Sequence, residues 1–243
     1  MTRDEAQERI RTERLAQLGA LLAGFAHEVR NPLSTIGLNL QLVMEDFAQP
    51  ETPRDKRAAK RLGVVEGEVK RLQGILEDFL RFARMPEMVR RPVAVNAVLQ
   101  EQVEFMAPEM RSRGIALRLF ADPEVREAEL DVAQFKAALL NLLRNAFDAC
   151  QDGGEVLVSS RREGTNLVVR VMDTGAGMAP EVLAKAFTPY FSTKRHGHGL
   201  GLPMVKRIVE EHGGAVAVTS EPGRGTQFTL TLPLRAPAAG GVA

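Results

Sequence analysis

Cysteine is almost absent from this chain of 243 residues: Cys150 stands alone. A single thiol excludes an intrachain disulfide framework and suits a reducing compartment, where a helical cysteine serves as a small buried hydrophobe. Net charge is equally scarce. The 32 Lys and Arg against 31 Asp and Glu leave +1, so the basic surplus that gathers nucleic acid is missing. Long apolar runs are lacking too. The longest, residues 15–26, already contains Gln17 and stops at His27, too short to cross a bilayer. Residues 1–14 are charged throughout and give no secretory signal. A cytoplasmic chain with no membrane segment is expected. The length suffices for one large domain or two modest ones.

What is present falls into two regions of different period. Over residues 1–84, Leu15, Leu18, Leu22, Phe25, Val29, Pro32 and Ile36 alternate at spacings of three and four, and Leu62, Val65, Val69, Leu72, Leu76, Phe79 and Ala83 repeat the pattern. Each run is a heptad seam. Thr52-Pro53-Arg54-Asp55 is a helix start, with a Thr cap and Pro at the first helical position. Two such helices form an antiparallel hairpin. Its narrow stripes are buried most simply in a homodimeric four-helix bundle. Residues 85–92, "MPEMVRRP", break the period and are the expected linker.

Residues 93–235 alternate helix and strand. Helices are expected over 96–113, from Asp131 to about Cys150 and from about Gly201 to His212; strands over 115–120, 156–160, 167–172, 215–220 and 226–232. This is an α+β chain overall: a helical hairpin, then an α/β sandwich with a mixed, mostly antiparallel sheet. The tail, 236–243, has nothing to bury and is expected to be disordered.

The stretch "FAHEVRNPLSTI" holds the first chemical signal. With Leu22, Phe25 and Val29 on the seam, His27 falls on the opposite, solvent-facing side, and Asn31 shares that face. Pro32 removes the helical partner of the Glu28 carbonyl and bends the helix locally. An exposed imidazole can be a plain surface residue. It can equally be a nucleophile toward phosphorus, with Glu28 accepting or orienting its other N–H. The choice rests on whether the chain supplies a phosphoryl donor.

The second region does. "NLLRNAFDA" puts Asn141 and Asn145 four apart on one helix, with Asp148 a turn further. "DTGAGM" follows a strand, so Asp173 sits at a strand end, and Gly175 and Gly177 let backbone pass close to a ligand. "GHGLGL" supplies Gly197, Gly199, Leu200 and Gly201 directly before a helix, where free N–H groups and the dipole favour phosphate. Between the glycine clusters, "AFTPYFSTKRHGHG" is a lid. Each piece alone also fits a hairpin turn or a polar surface; their order and spacing are far more specific.

Taken together these stretches resemble the catalytic core of two-component sensor histidine kinases, over roughly residues 12–234. "HEVRNPL" resembles the phospho-acceptor box, "NLLRNAFDA" the N box, "DTGAGM" and "GHGLGL" the glycine boxes, "FTPYFSTK" the F box, and "GRGTQFTLTLP", with Thr226, the closing strand. The resemblance implies a Bergerat-type ATP-binding sandwich shared with gyrase, Hsp90 and MutL proteins. It implies that Asp173 accepts from the adenine amino group, that Asn145 holds Mg²⁺, and that Asn141 and Asp148 support that end. Lys194 would reach the γ-phosphate or stay a solvated lid residue; Phe187 and Phe191 would anchor the lid; His196 and His198 are surface residues. His27 would be the acceptor, Glu28 its base, and Asn31 the residue positioning water for a phosphatase reaction. The partner implied is a separate response regulator. The alternatives are a nucleotide-binding phosphotransfer scaffold and an ATPase clamp of the gyrase or Hsp90 kind.

Overall fold

A computed structural model describes residues 29–83, 88–150, 153–194 and 198–235, without the side chains of 78, 79 and 81–83. The chain divides into two compact units, Met1–Pro86 and Glu87–Ala243.

In the first unit, α1 spans residues 29–45 and α2 spans Pro53–Ala83. The start of α2 follows from its first residues. The Thr52 N–H donates to Asp55 Oδ2 at 2.9 Å, and Asp55 N–H returns a bond to Thr52 Oγ1 at 3.2 Å. This reciprocal box satisfies two helix-terminal donors. It also holds the Asp55 carboxyl below its ordinary pKa, mainly through Thr52. Along α1, Leu33, Gly37, Leu40 and Met44 are half-buried, at spacings of four, three and four. A methyl group on Gly37 would lie 3.7 Å from Val69, which is buried on α2.

The expected seams divide here. Val69 faces the hairpin interior, whereas Ile36, Val65 and Leu72 are exposed in the single chain, as are Leu38, Leu42, Val43 and Val64. Pro32 is exposed as well. A heptad marks which positions are apolar; it does not say which neighbouring helix each one meets. Seam residues 15–25, together with His27 and Glu28, lie outside the described residues. No described helix is long and apolar enough to cross a membrane.

The second unit runs β1 (Arg91–Ala94), α3 (Val95–Ser112), β2 (Ile115–Ala121), β3 (Glu127–Leu130), α4 (Val132–Ala149), β4 (Gly154–Glu163), β5 (Asn166–Asp173), α5 (Pro180–Leu183), α6 (Gly201–Glu211), β6 (Ala215–Glu221) and β7 (Gly225–Pro233). Five strands form one sheet in the order β2-β4-β5-β7-β6. Only β2 and β4 pair in parallel, because the connection between them crosses over through α4; the other pairs are antiparallel. The sheet is thus mixed and mostly antiparallel, as its sequence pattern implies.

Helices α3, α4 and α6 cover one face. The buried stripe of α4 is Gln134, Phe135, Ala138, Leu139, Leu142, Leu143, Ala146 and Phe147, adjacent pairs recurring every four residues as a core-facing helix requires. Leu139, Leu142 and Leu143 are each 1% exposed or less, worth about 1.5–3 kcal/mol apiece.

The antiparallel ribbon of β1 and β3 was not legible in the sequence. Arg91 and Pro92, within the expected linker, belong to it. Each of its strands has only four residues, too few for a periodic signal.

Candidate functional site

Asp173 is the last residue of β5 and is only 5% exposed. Register places it beside Val156 of β4 and Thr226 of β7. Its Oδ1 accepts the Gly175 N–H at 2.8 Å, and the Thr226 backbone N–H also donates to the carboxyl. Burial pushes its pKa above the ordinary carboxylate value, while the two amides and the Lys194 ammonium pull in the other direction. A carboxylate so held keeps acceptor capacity for a ligand N–H.

The glycines after Asp173 are required by the chain itself. A Cβ on Gly175 would come within 2.5 Å of the Ala149 carbonyl carbon at the end of α4. Gly177 adopts φ +65°, and a Cβ there would collide with the Glu221 carbonyl oxygen. Hydrogen bonds fix the same contacts: Ala176 N–H donates to Ala149 O at 3.1 Å, and Gly223 N–H to Ala176 O at 2.8 Å. The loop is therefore pinned between the C-terminus of α4 and the β6–β7 turn. Close backbone packing, not only ligand approach, demands glycine at 175 and 177.

Helix α4 carries Asn141, Asn145 and Asp148. Asn141 Nδ2 donates to the Ala137 carbonyl at 3.0 Å. A methyl on Gly201 would lie 3.1 Å from Asn141 Oδ1, so the start of α6 abuts this residue. Lys194 Nζ donates to Asn145 Oδ1 at 2.8 Å and to Asp148 Oδ2 at 2.7 Å. An ammonium thus rests between these two oxygens, so this corner accommodates positive charge.

Of the two aromatics expected to anchor the segment 186–199, one reaches the core and the other packs within the segment itself. Phe187 packs edge-on against buried Phe228, with centroids 6.5 Å apart. Phe191 lies against Gly199, whose Cβ would be 2.6 Å from Phe191 N. Tyr190 N–H donates to Gly199 O at 3.0 Å. Tyr190 holds φ 63°, a strained conformation for a bulky side chain. Leu200, buried at the N-cap of α6, gives no side-chain cap, so the first amides of that helix are not spent on a side chain. His198 is half-buried. Gly197 and His196 lie outside the described residues. Thr226 is buried, and its hydroxyl lies 2.8 Å from that of Ser220.

In the first unit, Asn31 is exposed on α1. Sequence reasoning missed Asp131 and His212 as a pair. The buried His212 ring accepts the Asp131 N–H at Nε2; the only signal was Asp131 as a helix cap and His212 at a helix end.

Two families match. Residues 17–87 match the His Kinase A (phospho-acceptor) domain, and residues 130–236 match the histidine kinase-, DNA gyrase B- and HSP90-like ATPase. The sensor histidine kinase ZraS of Klebsiella oxytoca is 39% identical over 225 residues, which is 92% of this chain and 48% of that one. The chain spans about half the length of the ZraS relatives it matches. Full-length ShkA, solved in complex with AMPPNP, superposes with a TM-score of 0.73 at 28% identity, covering 90% of this chain and 47% of that one. The histidine kinase ThkA, solved in complex with the response regulator protein TrrA, gives 0.68 at 28% identity, covering 95% of this chain and 66% of that one. With the acceptor-domain match, the ATPase match and the buried strand-end carboxylate in one chain, it belongs to the two-component sensor histidine kinases and carries their catalytic core.

Proposed function

We propose that the chain transfers the γ-phosphoryl group of ATP to its own His27 and then to an aspartate of a separate response regulator. The observation that carries this reading is the convergence, in the second unit, of buried Asp173, the Asn145–Asp148–Lys194 cluster and the uncapped start of α6.

Asp173 accepts from the adenine amino group, and its burial excludes competing water. The amides at the start of α6 receive phosphate oxygens, with Gly197, Gly199, Leu200 and Gly201 shaping the approach. Thr226 fixes the floor through its amide on Asp173. Asn145 would hold Mg²⁺ through its side-chain oxygen, and the ion would supply neutralisation of phosphate charge. Lys194, released from Asn145 and Asp148, turns to the γ-phosphate. Asn141 holds the start of α6 against α4.

Transfer requires His27 to reach the γ-phosphate held in the second unit. A ring nitrogen of neutral His27 attacks phosphorus in line. The N–P bond forms as the bond to the β-phosphate oxygen breaks, and ADP leaves with the electron pair. Glu28 accepts or orients the proton on the other ring nitrogen. The phosphoramidate then passes the group to the regulator's carboxylate. Asn31, exposed on α1, positions water for hydrolysis of the regulator's acyl phosphate. The exposed Ile36, Val65 and Leu72 meet a second copy in a homodimeric four-helix bundle. ATP as the donor supports a cytoplasmic setting for this reaction.

Incubation with γ-labelled ATP tests this. The expected product is an acid-labile, base-stable label on the protein, absent in His27→Gln and chased onto a receiver domain. Nucleotide binding without label would refute the kinase and leave a scaffold; phosphate release without label would leave a clamp. Unchanged regulator dephosphorylation by Asn31→Ala would remove the phosphatase role.

A further inference from the structure

The buried His212 ring takes no part in the site above, yet through Asp131 it belongs to a set of bonds that joins three segments. Its Nδ1 lies 2.7 Å from the Ile208 carbonyl of its own helix, which makes Nδ1 the N–H donor, and Nε2 accepts the Asp131 N–H at 3.0 Å. Asp131 in turn caps α4: Oδ1 accepts the Gln134 N–H at 3.1 Å, and Oδ2 accepts the Val89 N–H at 3.0 Å. Arg90 donates to the Glu211 carbonyl at 2.6 Å, closing the ring of contacts at the end of α6. Val89 and Arg90 are the residues through which the chain enters the second unit, two and three positions after Glu87.

Both helices tied at this point reach the nucleotide site with their other ends. Helix α6 starts at Gly201 beside Asn141 and ends at His212 beside Asp131. It therefore lies antiparallel on α4, fastened at both ends of a ten-residue span of about 15 Å. A shift of the entering segment must move the Asp131 cap or break its bonds, and either displaces α6 relative to α4. That is the spacing between the uncapped start of α6 and the Asn145 oxygen.

We propose that Arg90, Asp131 and His212 form a coupling node through which the entering segment sets the separation of the two helices holding the nucleotide. His212 is a positioning residue. The inference rests on the nucleotide-site reading given above. Three charged groups face the ring: Arg90 from the entering segment, Asp131 from the N-cap of α4 and Glu211 from α6. Burial is the main cause lowering the His212 pKa, so the ring stays neutral and keeps its acceptor lone pair at neutral pH.

Coupling is reciprocal, so nucleotide must be felt at the node. The test is amide hydrogen exchange by NMR on the full chain, with and without saturating Mg·ADP. The expected result is at least threefold slower exchange at Val89 and Asp131, besides protection at Gly175. The two node amides lose that response in His212→Leu, while His212→Gln, which keeps an acceptor and cannot titrate, retains it. Should His212→Leu fail to fold, Arg90→Ala is read in its place and diminishes the same response. Protection at Gly175 with no change at Val89 and Asp131, or a full response in the folded variant, overturns the node and leaves the nucleotide site standing. No protection anywhere removes the nucleotide reading and the node with it.

Discussion

Replacing Asp173 with Asn separates what the residue does for the ligand from what it costs the fold. The carboxyl is buried at a strand end and accepts two backbone N–H groups. Desolvation is the largest influence on its pKa, and the net shift is upward. A folded pKa raised above the unfolded value means that stability is full below about pH 4 and declines as pH rises through the folded value. At neutral pH the free protein therefore carries the cost of a buried charge. Asn keeps an acceptor oxygen for the Gly175 amide and carries no charge. Asp173→Asn is expected to melt higher than wild type at pH 7, with the advantage shrinking toward pH 4.5. Each kcal/mol recovered moves Tm by about 2–4 °C in a chain of this size. Nucleotide affinity goes the other way. A charge-assisted hydrogen bond is worth about 1.5–3 kcal/mol, or roughly 10–150-fold in Kd, and the new amide N–H points a donor at a donor. Calorimetric titration with Mg·ADP and thermal melts at several pH values measure both. A variant that melts below wild type at pH 7 refutes the charge argument. A variant that binds within threefold of wild type refutes the adenine contact.

Lys194→Met frees the Asn145 oxygen. The ion pair it breaks is about half exposed, so Mg·ADP binding is expected to tighten by threefold at most, while single-turnover autophosphorylation slows. Gly177→Ala meets both the left-handed φ and the Glu221 carbonyl; a Tm drop of at least 5 °C is expected by circular dichroism, and an unchanged melt refutes the packing. His212 has a folded pKa below its ordinary 6.5. Its share of stability is therefore complete above pH 6.5 and is lost as pH falls toward the folded value, where the unfolded chain binds the proton more readily. Thermal melts from pH 7.5 to 5 should show this slope flattened in His212→Gln.

The α4 stripe, the capped start of α2, the strand pairs around 164–165 and 221–225, and the order of the polar boxes were all readable along the chain. Each is local: a period of 3.6 or 2, a cap within three residues, a turn glycine. Reading failed where the reason was remote. The β1–β3 ribbon exists because two four-residue strands find each other across α3. The requirement for glycine at 177 comes from the Glu221 carbonyl, more than forty residues away. The exposure of Ile36 beside the burial of Val69 depends on which helix each side chain meets.

The sequence by itself determined that a helical region precedes a mixed one, the longer helices and strands of the second unit, and which side chains are candidates for phosphoryl chemistry. These follow from periodicity and functional groups that neighbours along the chain already hold. Only the tertiary structure decided that Lys194 rests on Asn145 and Asp148, and that His212, at the end of α6, bonds the Asp131 cap of α4. Those bonds join residues 46 to 81 positions apart, and a hydrogen bond needs two groups within about 3 Å, a coincidence that folding alone brings about.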